Sequence, residues 1–159
     1  MVRAWVLNSE IEDPKEMNLT LPPQYVSLDD LQACCGIEFF EIHSEVDENL
    51  DRLKKDRGVV TSMNIKSLVG FELKSLFVEH LLNDDVYYLT LQGSGYLDIR
   101  DNNDQWIRIE VVKGDMIGIK KNSFRRFTVD HNEKHEGKMY MKDDKIRCFI
   151  RPQISAERQ

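Results

Sequence analysis

EHLLNDDVYYLTLQGSGYLDIRDNNDQWIRI, residues 79–109, decides how the rest of this chain is read. Val86–Gln92 is rich in β-branched and aromatic residues, which suit a pleated and half-buried surface. Gly93-Ser94-Gly95 tolerates positive φ and reads as a turn returning the chain along Tyr96–Arg100. Asn102-Asn103-Asp104 turns it again into Trp106–Val112. Lys113-Gly114-Asp115 leads into Met116–Ile119, and Phe124–Val129 follows. Short strands this closely spaced predict a mainly β protein with a few helices, built as a small antiparallel barrel or double sheet.

Outward from this centre the signals are local. Residues 3–7 (RAWVL) predict a first strand, and Pro14, Pro22 and Pro23 make the connection to about Val26 a loop. Ser27 reads as an N-cap and Gly36 as a stop, bracketing a helix over Leu28–Cys35. Val46–Arg57 alternates charges, carries Leu50 and Leu53 on one face and ends at Gly58, the pattern of an exposed helix. Val59–Met63 predicts a short strand. From Asn64 or Ser67 to about Glu79 the apolar residues fall at helical spacing, with Gly70 as a weak point.

Composition narrows the function classes. The chain has 159 residues, enough for a single domain with its own core. A net charge of −6 leaves no basic stripe to neutralise phosphates, so no nucleic-acid partner is expected. No apolar run reaches the ~20 residues of a membrane span, and the opening MVRAWVL is too short for a secretory leader. Three cysteines, two of them adjacent, give no disulfide framework and suit the cytoplasm, with the nucleus open to a protein this small. A monomer is expected, with an unidentified small molecule or protein as partner.

The run GSGYLDIRDNNDQWIRI, the later KGDM and the RFTVD segment carry a resemblance as well. They are similar to the acireductone dioxygenases, metal-dependent cupins of the methionine salvage pathway. The resemblance implies a cupin-type antiparallel barrel (a jelly-roll-like double-stranded β-helix) over residues 1–159, with the N-terminal helices packed outside, strands at Ile37–His43, Lys138–Met141 and Ile146–Ile150, and a shortened C-terminus after Arg151-Pro152. The family's first motif is H-x-H, three residues, Glu, six residues, Gly. Here those positions hold His80, Leu82, Val86 and Gly93. The second is Gly, five residues, Pro-x-Gly, two residues, His, and here it holds Gly114, Lys120, Asn122 and Arg125. Of the three His and one Glu that hold Fe(II) or Ni(II) in the family, only His80 remains. The family's Arg that handles the anionic substrate falls at Tyr88.

The chemistry explains why these changes matter. Two His on alternate strand positions face one way, so H-x-H offers two imidazoles to one ion. Leu82 removes one of them, and Val86 removes the anionic oxygen of the Glu. Arg125 puts a protonated guanidinium where a neutral imidazole is needed, and like charges repel. With these changes the resemblance implies an inactive acireductone dioxygenase relative: not an enzyme, with no catalytic residues and no metal cofactor, its remaining role being ligand or protein binding.

The alternative is an active acireductone dioxygenase with a non-standard ligand set around His80, drawn from Glu79, Asp85, His131 or His135. His131 and His135 are read as solvated loop histidines, and His43 as an ordinary surface histidine. Glu79 or Asp85 is expected to pair with Arg125 in the vacated pocket. Gly93-Ser94-Gly95 lacks the third glycine and following helix of a phosphate loop, and Ser94 lacks a partnered His. Tyr87, Tyr88, Trp106 and Phe127 are expected in the core or lining a pocket.

Overall fold

The computed structural model describes residues 3–65 and 76–152. The expected helix from Asn64 or Ser67 to Glu79 falls largely on 66–75, outside the described residues. In chain order the elements are β1 (Arg3–Val6), α1 (Leu28–Cys35), β2 (Glu38–Glu41), α2 (Glu48–Arg57), β3 (Thr61–Asn64), β4 (His80–Leu82), β5 (Val86–Arg100), β6 (Trp106–Val112), β7 (Asp115–Ile119), β8 (Arg125–Val129), β9 (His135–Met141) and β10 (Cys148–Ile150). The protein is mainly β, with antiparallel pairing throughout. No described helix is long and apolar enough to cross a membrane.

The helices form where their caps are written. Ser27 Oγ accepts the Asp30 N–H at 3.1 Å, and Gly36 closes α1 in the left-handed conformation at φ +66°. Asp47 caps α2, and Gly58 ends it at φ +64°. Leu50 and Leu53 point from α2 onto Ile42, Tyr87, Leu89, Met116 and Tyr140, a cluster on the outer face of the barrel wall. That apolar stripe, not helix propensity, fixes α2 in place.

The strands form two sheets that share β5. Its first half, Val86–Gly93, pairs with β7 and β9, which in turn carry β2 and β3. Its second half, Ser94–Arg100, pairs with β6 and β8, and that sheet continues to β1, β4 and β10. The turn expected at Gly93-Ser94-Gly95 is therefore not a turn. The strand runs straight through it for 15 residues, bending from one sheet into the other at a register shift between Thr90 and Gln92.

Glycine is needed here for contact as much as for conformation. A Cβ on Gly93, whose φ is +79°, would lie 1.9 Å from the Lys134 carbonyl oxygen. One on Gly95 would lie 2.7 Å from the Phe127 ring. The two later turns stand as read: β5 reaches β6 through 101–105, and β6 reaches β7 through Lys113-Gly114.

Inside the barrel, Leu82, Val86, Leu97, Ile99, Ile107, Ile109, Ile117, Ile119, Met139 and Met141 form the larger apolar cluster. One polar network crosses the wall. Asp98 accepts from Arg108 at 2.7 and 2.9 Å and from Arg126 Nε at 2.8 Å. Arg108 also donates to the carbonyls of Pro14 and Glu16, which ties the long first loop down.

Candidate functional site

A narrow cavity opens inside the barrel between the two sheets. It is lined by His80 of β4, Tyr88 and Thr90 of β5, Arg125 and Phe127 of β8 and His135 of β9, with Leu97, Val111 and Ile117 closing it. Strand alternation aims these side chains inward: Tyr88 and Thr90 are two apart on β5, as are Arg125 and Phe127 on β8. His80 and Arg125 are direct partners across the β4–β8 pair. The open space takes about 30 Å³ of water-sized occupants, enough for a water or two or a small polar head.

His80 is buried, and its Nδ1 lies 2.7 Å from the Val78 carbonyl oxygen. A carbonyl only accepts, so Nδ1 carries the proton and Nε2 keeps a lone pair. Burial lowers the imidazole's affinity for a proton and the Arg125 charge lowers it further, against the Val78 hydrogen bond. His80 is therefore a neutral imidazole at pH 7. Arg125 is 1% exposed. Its Nε donates to Ser123 O at 3.1 Å, Nη1 to Tyr88 Oη at 3.4 Å and Nη2 to Lys120 O at 3.4 Å.

The carboxylate expected beside Arg125 is elsewhere. Glu79 accepts from Arg100 at 3.0 and 3.0 Å and from Arg151 at 3.0 Å. Asp85 accepts the backbone N–H of Lys121 at 2.8 Å. Two-point contact with Arg100 is the better geometry for Glu79, and Asp85 is used to hold the β7–β8 connection. Leu82 and Val86, 1% and 0% exposed, belong to the apolar cluster.

The two later histidines part ways. His131 is half exposed, with Nε2 at 2.8 Å from Asp13 and 3.0 Å from Glu16. His135 is not a loop residue. It begins β9, is buried, packs its ring 4.7 Å from that of Phe127, and lies 3.3 Å from Thr90 Oγ1. Its signal was visible as alternation, since His135, Gly137, Met139 and Met141 share one strand face. Tyr88, read only as pocket lining, also supplies the hydroxyl that meets Arg125. Ser94, read as lacking a partnered His, donates to Asp130. Arg100 and Arg126 both lie over Trp106, with guanidinium carbons 3.9 and 4.2 Å from its ring centroid.

Residues 3–145 match the model of the ARD/ARD' family. The chain belongs to that family. Acireductone dioxygenase of Drosophila melanogaster is 40% identical over 141 residues, covering 83% of this chain and 76% of the relative. That of Branchiostoma floridae is 38% identical over 137 residues, covering 82% and 77%. Among solved structures, acireductone dioxygenase from Bacillus anthracis with a cadmium ion in its active centre superposes with a TM-score of 0.66 at 12% identity, covering 91% of this chain and 95% of its own. That likeness shows the cupin fold of the family.

The relatives correct one expectation. The residue changes at the family's motif led to the reading that this chain is not an enzyme. Relatives 35–40% identical over most of both chains are named acireductone dioxygenase, an enzyme, and they overturn that reading. Loss of particular ligands is a statement about one ion, not about every chemistry a pocket can do.

The ion itself is tested by the donor set. At the four positions that the resemblance matches to the family's ligands, His80, Leu82, Val86 and Arg125, stand one imidazole, two apolar side chains inside the core and a guanidinium. Such a set does not fit Fe(II) or Ni(II), which call for several nitrogen or oxygen donors with open positions between them. Among the described residues, Asp13, Glu16 and His131 form the one group of three donors close enough to share an ion, and that group lies on the surface.

Proposed function

We infer that this chain acts on an acireductone, as an oxygenase of the methionine salvage pathway, with the barrel cavity as its active site. The observation that carries the reading is the family match over residues 3–145, together with relatives named for that activity. The cavity carries His80, Tyr88 and Arg125, with Thr90, Arg126 and His135, on a lining otherwise made of apolar side chains. An enediol loses a proton before it reacts with oxygen. The neutral His80, its Nδ1 fixed on Val78, presents the lone pair that takes one. Arg125 and Tyr88 hold the resulting negative oxygens, and Leu97, Val111, Ile117 and Phe127 exclude water. The metal of the family enters none of these steps, because the residues here do not fit it. The free thiols of Cys34, Cys35 and Cys148 favour a cytoplasmic setting.

The test is direct. Acireductone generated without oxygen is mixed with protein and oxygenated buffer, and loss of its ultraviolet absorbance is followed, with products separated by chromatography. Turnover above the spontaneous rate, lost in His80→Ala, is the expected result. A rate equal to buffer alone, with and without added Fe(II) or Ni(II), overturns the reading.

A further inference from the structure

Cys34 and Cys35 close α1, and their side chains converge. Residues one apart on a helix ordinarily do not face each other. Here the two Sγ atoms lie 3.6 Å apart, close enough for a weak S–H···S bond. Both residues are half-buried, so the pair is reached from solvent. Cys35 also packs against the larger apolar cluster, which holds its side chain in place. The left-handed Gly36 follows at once, so both thiols belong to the last turn of the helix.

Two ordinary uses of a thiol pair fit poorly. Consecutive Cα atoms stand about 3.8 Å apart, short of the ~4.4–6.8 Å that a disulfide usually spans. Joining the sulfurs would therefore unwind the last turn of α1. Burial pushes the Cys35 thiol up, with the Cys34 bond and the Asp101 charge adding to it, so Cys35 keeps its proton at neutral pH and is a poor nucleophile. A zinc site takes about three or four protein ligands. Among the described residues the one group of three donors near enough to share an ion is Asp13, Glu16 and His131, which includes neither sulfur.

What two converging thiols do fit is a bridging atom that needs only two sulfurs from the protein. An atom bonded to both at the ~2.3 Å of a metal–sulfur bond, with a near-tetrahedral angle, holds them about 3.8 Å apart. The observed 3.6 Å is close to that span. We propose that Cys34 and Cys35 form a chelating dithiol site for a trivalent arsenical, an arsenic(III) centre that carries one organic group and two hydroxyls. Two As–S bonds form and two As–O bonds break, and each departing hydroxyl takes one thiol proton and leaves as water. Arsenic stays trivalent, so no oxidant or reductant is required. The protons that burial keeps on the thiols are the ones the reaction consumes, and the organic group fills the third position on arsenic.

The probe is phenylarsine oxide, added in equimolar amount to reduced full-length protein in thiol-free buffer and followed by intact-mass spectrometry. Wild type is expected to gain one phenylarsenic group and to lose two hydrogens. The adduct should persist in excess glutathione, a monothiol, and be removed by 1,2-ethanedithiol, because its second As–S bond forms within one molecule. Cys34→Ser and Cys35→Ala are each expected to weaken retention against glutathione about a hundredfold or more. Cys148→Ser, which removes the remaining thiol, should hold the probe as wild type does.

No adduct on wild type, or one that glutathione strips away, overturns the proposal. So does an adduct that Cys34→Ser keeps or that Cys148→Ser loses. If Cys35→Ala fails to fold, Cys34→Ser decides, because Cys34 is not among the residues packed on the apolar cluster.

Discussion

Asp98 grips Arg108 through both carboxylate oxygens, at 2.7 and 2.9 Å, with neither side chain exposed. A third contact, from Arg126 at 2.8 Å, makes this one carboxylate the counter-ion of two cations. Removing it strands both. Asp98→Ala is expected to cost about 3–5 kcal/mol, the range for breaking a buried pair from one side. Urea unfolding at neutral pH checks it, and a loss under 1 kcal/mol contradicts the account.

Arg125 behaves in the opposite sense. It is buried without a carboxylate among the described residues, so replacing it with an apolar side chain relieves a desolvated charge. Without ligand, Arg125→Met is expected to be as stable as wild type or more so, by up to about 2 kcal/mol. Thermal and urea denaturation of the ligand-free proteins measure this. A loss of several kcal/mol would mean that the carbonyls of Ser123 and Lys120 satisfy the guanidinium well.

At Gly93 a Cβ meets the Lys134 carbonyl oxygen at 1.9 Å and must also adopt φ +79°. Left-handed backbone costs a non-glycine residue about 1–2 kcal/mol and overpacking about 1–3 more. Gly93→Ala is therefore expected to lose at least about 2 kcal/mol. Gly58 has the same kind of φ and no neighbour within 4 Å. Gly58→Ala should lose only the backbone part, and equal losses at the two sites would show that the carbonyl contact yields easily.

Acid should expose the Glu79 junction, which holds β4 to the end of β5 and to the chain after β10. Burial raises this carboxyl, but the bonds from Arg100 and Arg151 prevail and hold it below the ordinary 4.5. A carboxyl depressed on folding stabilises the protein fully above its unfolded value and loses that contribution as pH falls through the lower, folded one. Stability is expected to decline below about pH 4.5. In Glu79→Gln the neutral-pH value should drop by about 1.5–3 kcal/mol, with a shallower acid slope. Identical slopes in the two proteins would remove Glu79 from the account.

Local features of this fold were legible because their causes are local. Ser27 and Gly36 bracket α1 through contacts within a few residues, and Gly58 ends α2 in the same way. The continuity of β5 was not legible. Gly-Ser-Gly permits a turn or a bend, and the choice is made by Lys134 and Phe127, distant in sequence.

The site divides likewise. His80 and Arg125 were found by position, and strand pairing brings them face to face. The sequence does not show that Glu79 is claimed by Arg151, 72 residues away, and so is not left for Arg125. His135 reads as a loop residue because its turn-like neighbours outweigh the period-two pattern that begins with it.

Because β5 supplies seven or more residues to each sheet, neither sheet has an edge along which it can separate from the other. The molecule should melt as one cooperative unit. Fluorescence from Trp5 and Trp106 in one sheet and amide exchange in β7 and β9 of the other should report a common midpoint and a common slope. A lesion at the shared strand is then felt by the whole protein rather than by one half of it.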